Sequence, residues 1–305
     1  MKLDSEVLII GGGPAGLSAA LSLGRMSRTA LVCDDNRPRN APSSHLNNFP
    51  TRDGIHPAEW RRLVKKDLEK YKTISFFEGS VLSVEKSASG FTAKFSSGDR
   101  ASFKKVVLAY GVEDRPLLLP GFKELWGKSI FHCPYCHGFE IRGSRIALIS
   151  NSEMTFHMVS LINDLASDLI LLTNGKAVFS EEQKELLNRR SIRLIEYPIV
   201  GFVHEGEQLK GISLASGQVV EREVAFFQPL LPFKLKSQIG EELGCEKTQF
   251  GFYKVNERGA TTVDGVFACG DNVTMGHSVI LAAASGSMAG AGIVSELLGE
   301  VFSAK

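Results

Sequence analysis

Val7-Leu-Ile-Ile-Gly-Gly-Gly-Pro-Ala-Gly16 is the stretch that decides the fold. Four consecutive apolar residues, Val7 to Ile10, suit a short parallel strand covered on both faces. The glycine turn follows at once, apolar residues from Leu17 to Arg28 fall at helical spacing, and Thr29 to Cys33 reads as a second buried strand. A lone G-x-G-x-x-G is weak, but one that follows a strand and opens a helix carries a physical role at each position. Gly11 permits the tight turn, Gly13 lets the backbone approach a pyrophosphate, and Gly16 packs helix on strand. Pro14 and Ala15 start the helix, whose N–H groups and positive end favour an anion. Asp34 ends the second strand 18 residues beyond Gly16, where a carboxylate can accept from ribose hydroxyls.

Working outward, Asn36 to Gly54 is rich in Pro, Asn, Ser and Arg and reads as a long loop, a length usually tied to function. A helix is expected from Pro57 to Tyr71, with Trp60, Leu63, Val64 and Leu68 inward and the pairs Arg61–Arg62 and Lys65–Lys66 on a solvated face. Alternating runs at 74–77, 81–85, 91–95 and 101–103 predict an antiparallel meander, and Lys104 to Ala109 a buried strand. A second unit starts near Arg115-Pro116. It contains a strand (Arg145–Ile149), a helix (about Thr155–Leu165) and a strand (Asp168–Thr173), then alternating segments to about Phe227. Gln228 to Lys236, with Pro229 and Pro232, reads as the return linker. Gly265-Val-Phe-Ala-Cys-Gly-Asp271 and a small-residue helix (about Ser278–Leu298) complete the chain. The pattern is α/β, with two dinucleotide-binding, Rossmann-like, three-layer ββα domains, the second inserted in the first. The expected boundaries are 1–114 plus 239–305 and 115–238.

A net charge of +1 over 305 residues gives no footprint for nucleic acid or an anionic membrane. No uninterrupted apolar run reaches the length of a membrane span, and the N-terminus does not read as a signal peptide. Five cysteines, an odd number in a long chain, do not suggest a secreted disulfide framework; a cytoplasmic, reducing setting is expected. Cys33, Cys245 and Cys269 are isolated and read as structural.

Phe131-His-Cys-Pro-Tyr-Cys-His-Gly138 is the sharpest chemical signal. Thiols two residues apart can close a small disulfide, and a turn or helix start between them lowers one thiol pKa. His132 and His137 offer proton donors and acceptors that titrate near neutrality, which thiol exchange requires. A zinc site would normally need a second C-x-x-C or a spaced His pair, so no metal is expected.

Three motifs together, Gly11-Gly-Gly-Pro-Ala-Gly-Leu-Ser-Ala-Ala20, Ala109-Tyr-Gly111 and Gly265-Val-Phe-Ala-Cys-Gly-Asp271, resemble the two-dinucleotide-domain flavoproteins. The cysteine pair's place along the chain makes the resemblance closest to the low-molecular-weight thioredoxin reductases. It covers nearly the whole chain. It implies an FAD cofactor held by Gly11–Gly16, Asp34, Ala109, Gly111, Gly270 and Asp271, with Asn48 on the flavin side. His277, Ser278 and Val279 would start a helix aimed at the flavin's pyrimidine edge. It implies that Cys136 lies against the flavin, that Cys133 exchanges with substrate, and that the molecule is a homodimer. Tyr110 stands where the family usually has Thr. His137 stands where it usually has Asp as proton donor, and the Cys-Pro-Tyr-Cys-His-Gly string looks more like the thioredoxin-reductase-like dithiol oxidases.

The second nucleotide motif is missing. The strand at 146–149 runs into Ser150-Asn-Ser-Glu-Met-Thr155 with no glycine, and Thr173-Asn-Gly-Lys176 lacks the basic cluster that would grip a 2′-phosphate. Four readings stay open: a dithiol oxidase passing electrons to O2, a reductase fed by a donor protein, a reductase using NAD(P)H at an unusual site, and an FAD-keeping redox sensor without turnover. The thiol substrate could be a small dithiol or a thioredoxin-like protein.

Overall fold

The computed structural model describes residues 5–229 and 233–303. Two compact units emerge. One comprises residues up to Ala41, Ala58–Glu113 and the chain from Leu235; the other comprises Pro42–Pro57 and Asp114–Lys234. The division thus falls at 113/114 and 234/235, close to the boundaries read from sequence, except that the loop 42–57 groups with the second unit. Local contacts explain this: Lys128 Nζ donates to Ser44 Oγ at 3.1 Å, and Asn47 Nδ2 donates to the Cys136 oxygen at 2.9 Å.

The first unit begins β1 (Val7–Ile10), α1 (Pro14–Arg25), β2 (Ala30–Asp34). It continues with α2 (Pro57–Leu68), β3 (Ile74–Glu78), the meander β4 (Val81–Ser87), β5 (Gly90–Phe95) and β6 (Arg100–Phe103), then β7 (Lys105–Leu108) and β8 (Val112–Asp114). In the second unit, α3 (Phe122–Leu125), β9 (Ile130–Phe131) and α4 (Pro134–His137) precede β10 (Arg145–Ser150), α5 (Thr155–Asn163) and β11 (Asp168–Leu172). Then come α6 (Glu181–Arg189), β12 (Arg193–Ile195), the meander β13 (Ile199–Glu205), β14 (Gln208–Leu214) and β15 (Val219–Glu221), and β16 (Val224–Gln228). The chain returns through β17 (Phe233–Leu235), α7 (Ile239–Glu242), β18 (Val266–Ala268), a 3-10 turn at Gly270–Asn272 and α8 (Val279–Ser303). Leu230 to Pro232, part of the expected linker, lie outside the described residues.

Each unit carries a five-stranded parallel sheet, in the order β18-β7-β1-β2-β3 in the first and β12-β11-β10-β16-β9 in the second. β1 and β10 sit at the centres, fully covered, as their unbroken apolar runs require. In the first unit a core containing Leu8, Leu31, Phe95, Phe103 and Val266 joins the sheet to the meander β4–β6. In the second, Ile149, Ile170, Phe202 and Ile212 share one core, while Leu148, Ile162 and Leu171 share another that also holds Leu187 of α6. This is the expected ββα layering, twice.

Three expectations need correcting. Helix α6 falls where alternating strands were expected; Ser180 and Gln183 form a reciprocal capping box that starts it. Arg61 is not on a solvated face: only 9% exposed, it is ion-paired with Asp34. Finally, α8 runs 25 residues and is long and apolar enough to cross a membrane by length and composition. Its bulky apolar residues, Val279 to Leu281 at one end and Ile293 to Phe302 at the other, are separated by a stretch of mostly Ala, Gly and Ser, so no long bulky run stands out in the sequence. Ala282, Gly286, Ala289 and Gly290 on this helix are buried, and its Glu296 and Glu300 pair with Lys105 at 2.8 and 2.6 Å. A Cβ on Gly286 would lie 2.0 Å from the Ala15 oxygen, so α1 occupies that face.

Candidate functional site

The glycine turn in the first unit is built as its sequence demands. Gly11 has φ 112°, and a Cβ on Gly16 would stand 1.9 Å from the Gly11 oxygen. A Cβ on Gly13 would meet nothing within 4 Å, and the same holds at Gly111, which has φ 68°. Open space therefore faces the N-terminus of α1, where Pro14 occupies the first turn and no side chain caps the N–H groups. A diphosphate fits that cradle by chemistry and by space. Gly12, given no role of its own in the sequence reading, is also constrained, since a Cβ there would lie 2.6 Å from Asp34 Oδ2.

Asp34 is held rather than mobile about its torsions. Arg61 Nη2 donates to Asp34 Oδ2, the Asn36 amide donates to Oδ1 at 3.2 Å, and Arg61 Nη1 reaches Asn36 Oδ1 at 3.0 Å. The late motif sits in the same unit. Gly270 takes φ 82°, and its amide donates to Ser285 Oγ at 2.8 Å; Ala15 Cβ would be 2.9 Å from a Cβ there. Asn272, fully buried, donates to the Leu108 oxygen at 2.8 Å, next to Ala109. Asp271 accepts from Arg39 Nη1 at 3.0 Å, and the same nitrogen lies 2.8 Å from His277 Nδ1. Guanidinium nitrogens only donate, so Nδ1 accepts and His277 carries its ring proton on Nε2. Ser278 and Val279 open α8, with Ser278 Oγ accepting from the Leu281 amide at 3.3 Å. Tyr110, the departure from Thr, is bonded in a chain: Tyr253 donates to Glu241 at 2.8 Å, so Tyr110 donates to the Tyr253 oxygen at 2.6 Å. Burial pushes both phenols above their ordinary range.

In the second unit, Cys133 precedes α4 in an extended conformation and Cys136 lies within it. Both are half-buried. Pro134 sits at the first helical position, where a missing N–H costs nothing. The Cys136 amide donates to the Cys133 oxygen at 3.2 Å, closing the turn between the sulfurs. His137 stacks on Phe131 with centroids 4.1 Å apart, and its Nε2 lies 3.3 Å from Ser43 Oγ. Burial is the largest influence on His137 and holds its pKa below the ordinary histidine value, with His45 adding to the effect and Glu140 opposing it. His132 stacks on Trp126. Asn48 adopts φ 62° and donates its amide to Asp53 at 2.6 Å; it is the neighbouring Asn47 whose side chain reaches the cysteine helix.

The structure thus groups Gly11–Gly16, Asp34, Ala109, Gly111, Gly270, Asp271 and His277–Val279 in one unit and Cys133, Cys136, His137 and Asn48 in the other. Sequence reasoning missed Arg39, Arg61, Ser43 and Asn47. All act through tertiary contacts; the unusual length of the 36–54 loop hinted at Arg39, Ser43 and Asn47, and nothing in the sequence hinted at Arg61 in α2. Cys33, Cys245 and Cys269 are buried; burial pushes the Cys33 and Cys269 thiols up to about 12, far from a thiolate at neutral pH. Among the described residues no group of three or more His, Cys, Asp or Glu could hold a metal.

The turn after β10 is filled. Ser150 Oγ and Thr155 Oγ1 lie 2.7 Å apart, both residues buried, and Thr155 Oγ1 accepts from the Ser152 amide at 3.0 Å. Asn151 bridges to the neighbouring loop, donating to the Lys176 oxygen at 2.9 Å and accepting from the Val178 amide at 3.0 Å. Side chains hold the place that glycines leave open in the first unit.

Residues 5–289 match the family model described as pyridine nucleotide-disulphide oxidoreductase. The chain is 34% identical to the thioredoxin reductase tcpT of Claviceps purpurea (strain 20.1), over 97% of this chain and 95% of that one. Among solved structures, an oxidoreductase from Agrobacterium tumefaciens superposes with a TM-score of 0.89 at 34% identity, covering 97% of this chain and 99% of that one. HlmI superposes at 0.93 with 30% identity, covering 100% and 96%.

Proposed function

The chain belongs to the pyridine nucleotide-disulphide oxidoreductase family, as a thioredoxin reductase-like FAD enzyme, and within it we propose a dithiol oxidase that works without a nicotinamide. In this reading a substrate dithiol reduces the Cys133–Cys136 disulfide, the electrons pass to FAD, and O2 is the final acceptor. When bound, FAD supplies a two-electron acceptor that oxygen can regenerate. Gly11, Gly13 and Gly16 with the α1 N-terminus would hold its pyrophosphate, Asp34 its ribose, and Asp271 with the start of α8 its remaining polar groups.

The chain's own residues then do the following. Cys133, at the open start of α4, takes the substrate sulfur, and Cys136, one turn on, is the leaving thiolate. His137, held neutral by burial, moves the proton.

One observation carries the proposal: Ser150, Asn151 and Thr155 fill the turn where a second pyrophosphate would need bare backbone. The buried Ser150–Thr155 pair cannot part without leaving polar groups unmet, and the Asn151 side chain is engaged by the 176–178 loop. The supporting experiment is oxygen uptake by the FAD-loaded enzyme with dithiothreitol as the only reductant. Uptake at a steady rate with hydrogen peroxide formed, and no stimulation by NADPH or NADH, is expected. A requirement for either nicotinamide overturns the reading.

A second reading follows from the printed names of relatives such as tcpT and the sirT protein of Leptosphaeria maculans, both thioredoxin reductases. It runs the same pair in the reducing direction toward a thioredoxin-type disulfide, with electrons from NAD(P)H or a donor protein. Exposed Ile280, Leu281 and Met288 on α8 favour a homodimer in either reading, and the odd number of cysteines favours a cytoplasmic setting.

A further inference from the structure

The Asp34 carboxylate borders the middle of the glycine turn, since its Oδ2 lies 2.6 Å from where a Cβ on Gly12 would stand. Its plane is set by a closed ring of three hydrogen bonds. Arg61 Nη2 donates to Oδ2, Arg61 Nη1 donates to Asn36 Oδ1 at 3.0 Å, and the Asn36 amide donates to Asp34 Oδ1 at 3.2 Å. Asn36 closes the ring with φ 57°. Lys65, one turn beyond Arg61 on α2, adds an ion pair to Oδ2 at 3.9 Å, beyond hydrogen-bond length. All five residues belong to the first unit.

We propose that Arg61 is a positioning residue for the adenosine ribose of the cofactor: it fixes the Asp34 carboxylate so that each oxygen keeps an acceptor position for one ribose hydroxyl. A carboxylate offers about four acceptor positions. Arg61 takes one on Oδ2 and the Asn36 amide takes one on Oδ1, so about two remain, as many as a ribose diol has hydroxyls to give. A carboxylate free to turn about its last torsion would have to be ordered when the diol arrives; one already clamped is not. A guanidinium suits the task because its nitrogens lie in one plane and donate in fixed directions, Nη2 to the carboxylate and Nη1 to Asn36. Arg61 acts through Asp34, so what it governs is the preference for a ribose with both hydroxyls.

The proposal rests on Asp34 receiving the FAD ribose, as proposed above, and not on the final electron acceptor. Its test reads binding rather than turnover. The full chain is freed of flavin and titrated with FAD, or with the FAD analogue whose adenosine ribose is 2′-deoxy, following flavin fluorescence. The parent should prefer FAD about tenfold, the worth of one hydrogen bond to a charged group. Arg61→Met should reduce that preference to about twofold. Loss of packing alone would weaken both ligands alike and leave their ratio where it was. Asn36→Gly keeps the left-handed backbone and cuts the ring at its other end. It should give an intermediate preference of about fourfold, and it stands in if Arg61→Met does not fold. A ratio equal to the parent's in both variants overturns the proposal, as does a parent without preference. Asp34→Ala tells the two failures apart. If the preference is lost there but kept in the Arg61 and Asn36 variants, Asp34 still holds the ribose and only the role of Arg61 falls. If it survives in Asp34→Ala, the assignment of Asp34 falls as well.

Discussion

The side-chain amide of Asn47 donates to the main-chain oxygen of Cys136 across 2.9 Å. The last carbonyls of a short helix have no partner within it, and here a side chain from a distant loop supplies one. The bond ties the 42–57 loop to the cysteine turn, as does the Ser43 contact to His137. Replacing Asn47 by Asp keeps the shape but sets a carboxylate against the carbonyl. Turnover with dithiothreitol should fall about tenfold, a loss of one charge-free hydrogen bond plus repulsion, while FAD content stays unchanged. Equal rates would show that the bond does not hold the turn.

Cys136→Ser should retain FAD and abolish its reduction by dithiothreitol, since a hydroxyl neither forms the disulfide nor leaves as a thiolate. Reduction at the original rate would mean the flavin takes electrons by a route that bypasses the pair.

Gly286→Ala tests the contact between the two FAD motifs. The added Cβ would lie 2.0 Å from the Ala15 oxygen, which is backbone and cannot swing aside. A loss of about 2–3 kcal/mol is expected from such overpacking, read as a lower midpoint of urea unfolding. Weaker FAD retention should accompany it, because α1 carries the glycine cradle.

The Asp34–Arg61 pair is largely removed from water, with side chains 13% and 11% exposed. Removing Arg61 leaves Asp34 only the longer pair to the half-exposed Lys65, 3.9 Å away, so Arg61→Met should cost about 2 kcal/mol of stability by denaturant titration. A variant as stable as the parent would place the pair among ion pairs of no consequence.

Histidine 137 gives a pH dependence whose sign follows from burial. Its folded pKa lies below the unfolded value, so between the two the unfolded chain binds more protons. Stability is thus full above the unfolded pKa and is lost as pH falls from there toward the folded pKa. His137→Asn should flatten the melting temperature between about pH 7 and 5 relative to the parent, using the ordinary histidine pKa as the upper bound. An unchanged slope would assign the acid sensitivity elsewhere.

Much of the architecture was legible because it is written locally. The apolar run at 7–10 followed by the glycine turn could hardly be anything but a buried strand feeding a helix, and the alternation at 81–103 gave the meander. The 181–189 helix was missed although Ser180-Glu-Glu-Gln183 spells its capping box; its few apolar residues carry little periodicity, and burial of Leu187 settles it. Arg61 looked like solvent because a charged residue's burial depends on a partner 27 positions away. Ser43 and Asn47 were invisible for the same reason: a polar loop residue acquires its role only when the chain brings it against Cys136 and His137. The filled turn at 150–155 was readable from the missing glycines, but the pinning of Asn151 by the 176–178 loop was not.

The most direct test of the central claim is anaerobic reduction of the FAD-loaded enzyme, followed by its visible spectrum, with NADPH, NADH and dithiothreitol added to separate samples. Bleaching of the flavin by dithiothreitol alone, reversed when air is readmitted, is the expected result. Rapid bleaching by micromolar NADPH would contradict it, and would mean that the Ser150–Thr155 turn opens to a nucleotide after all.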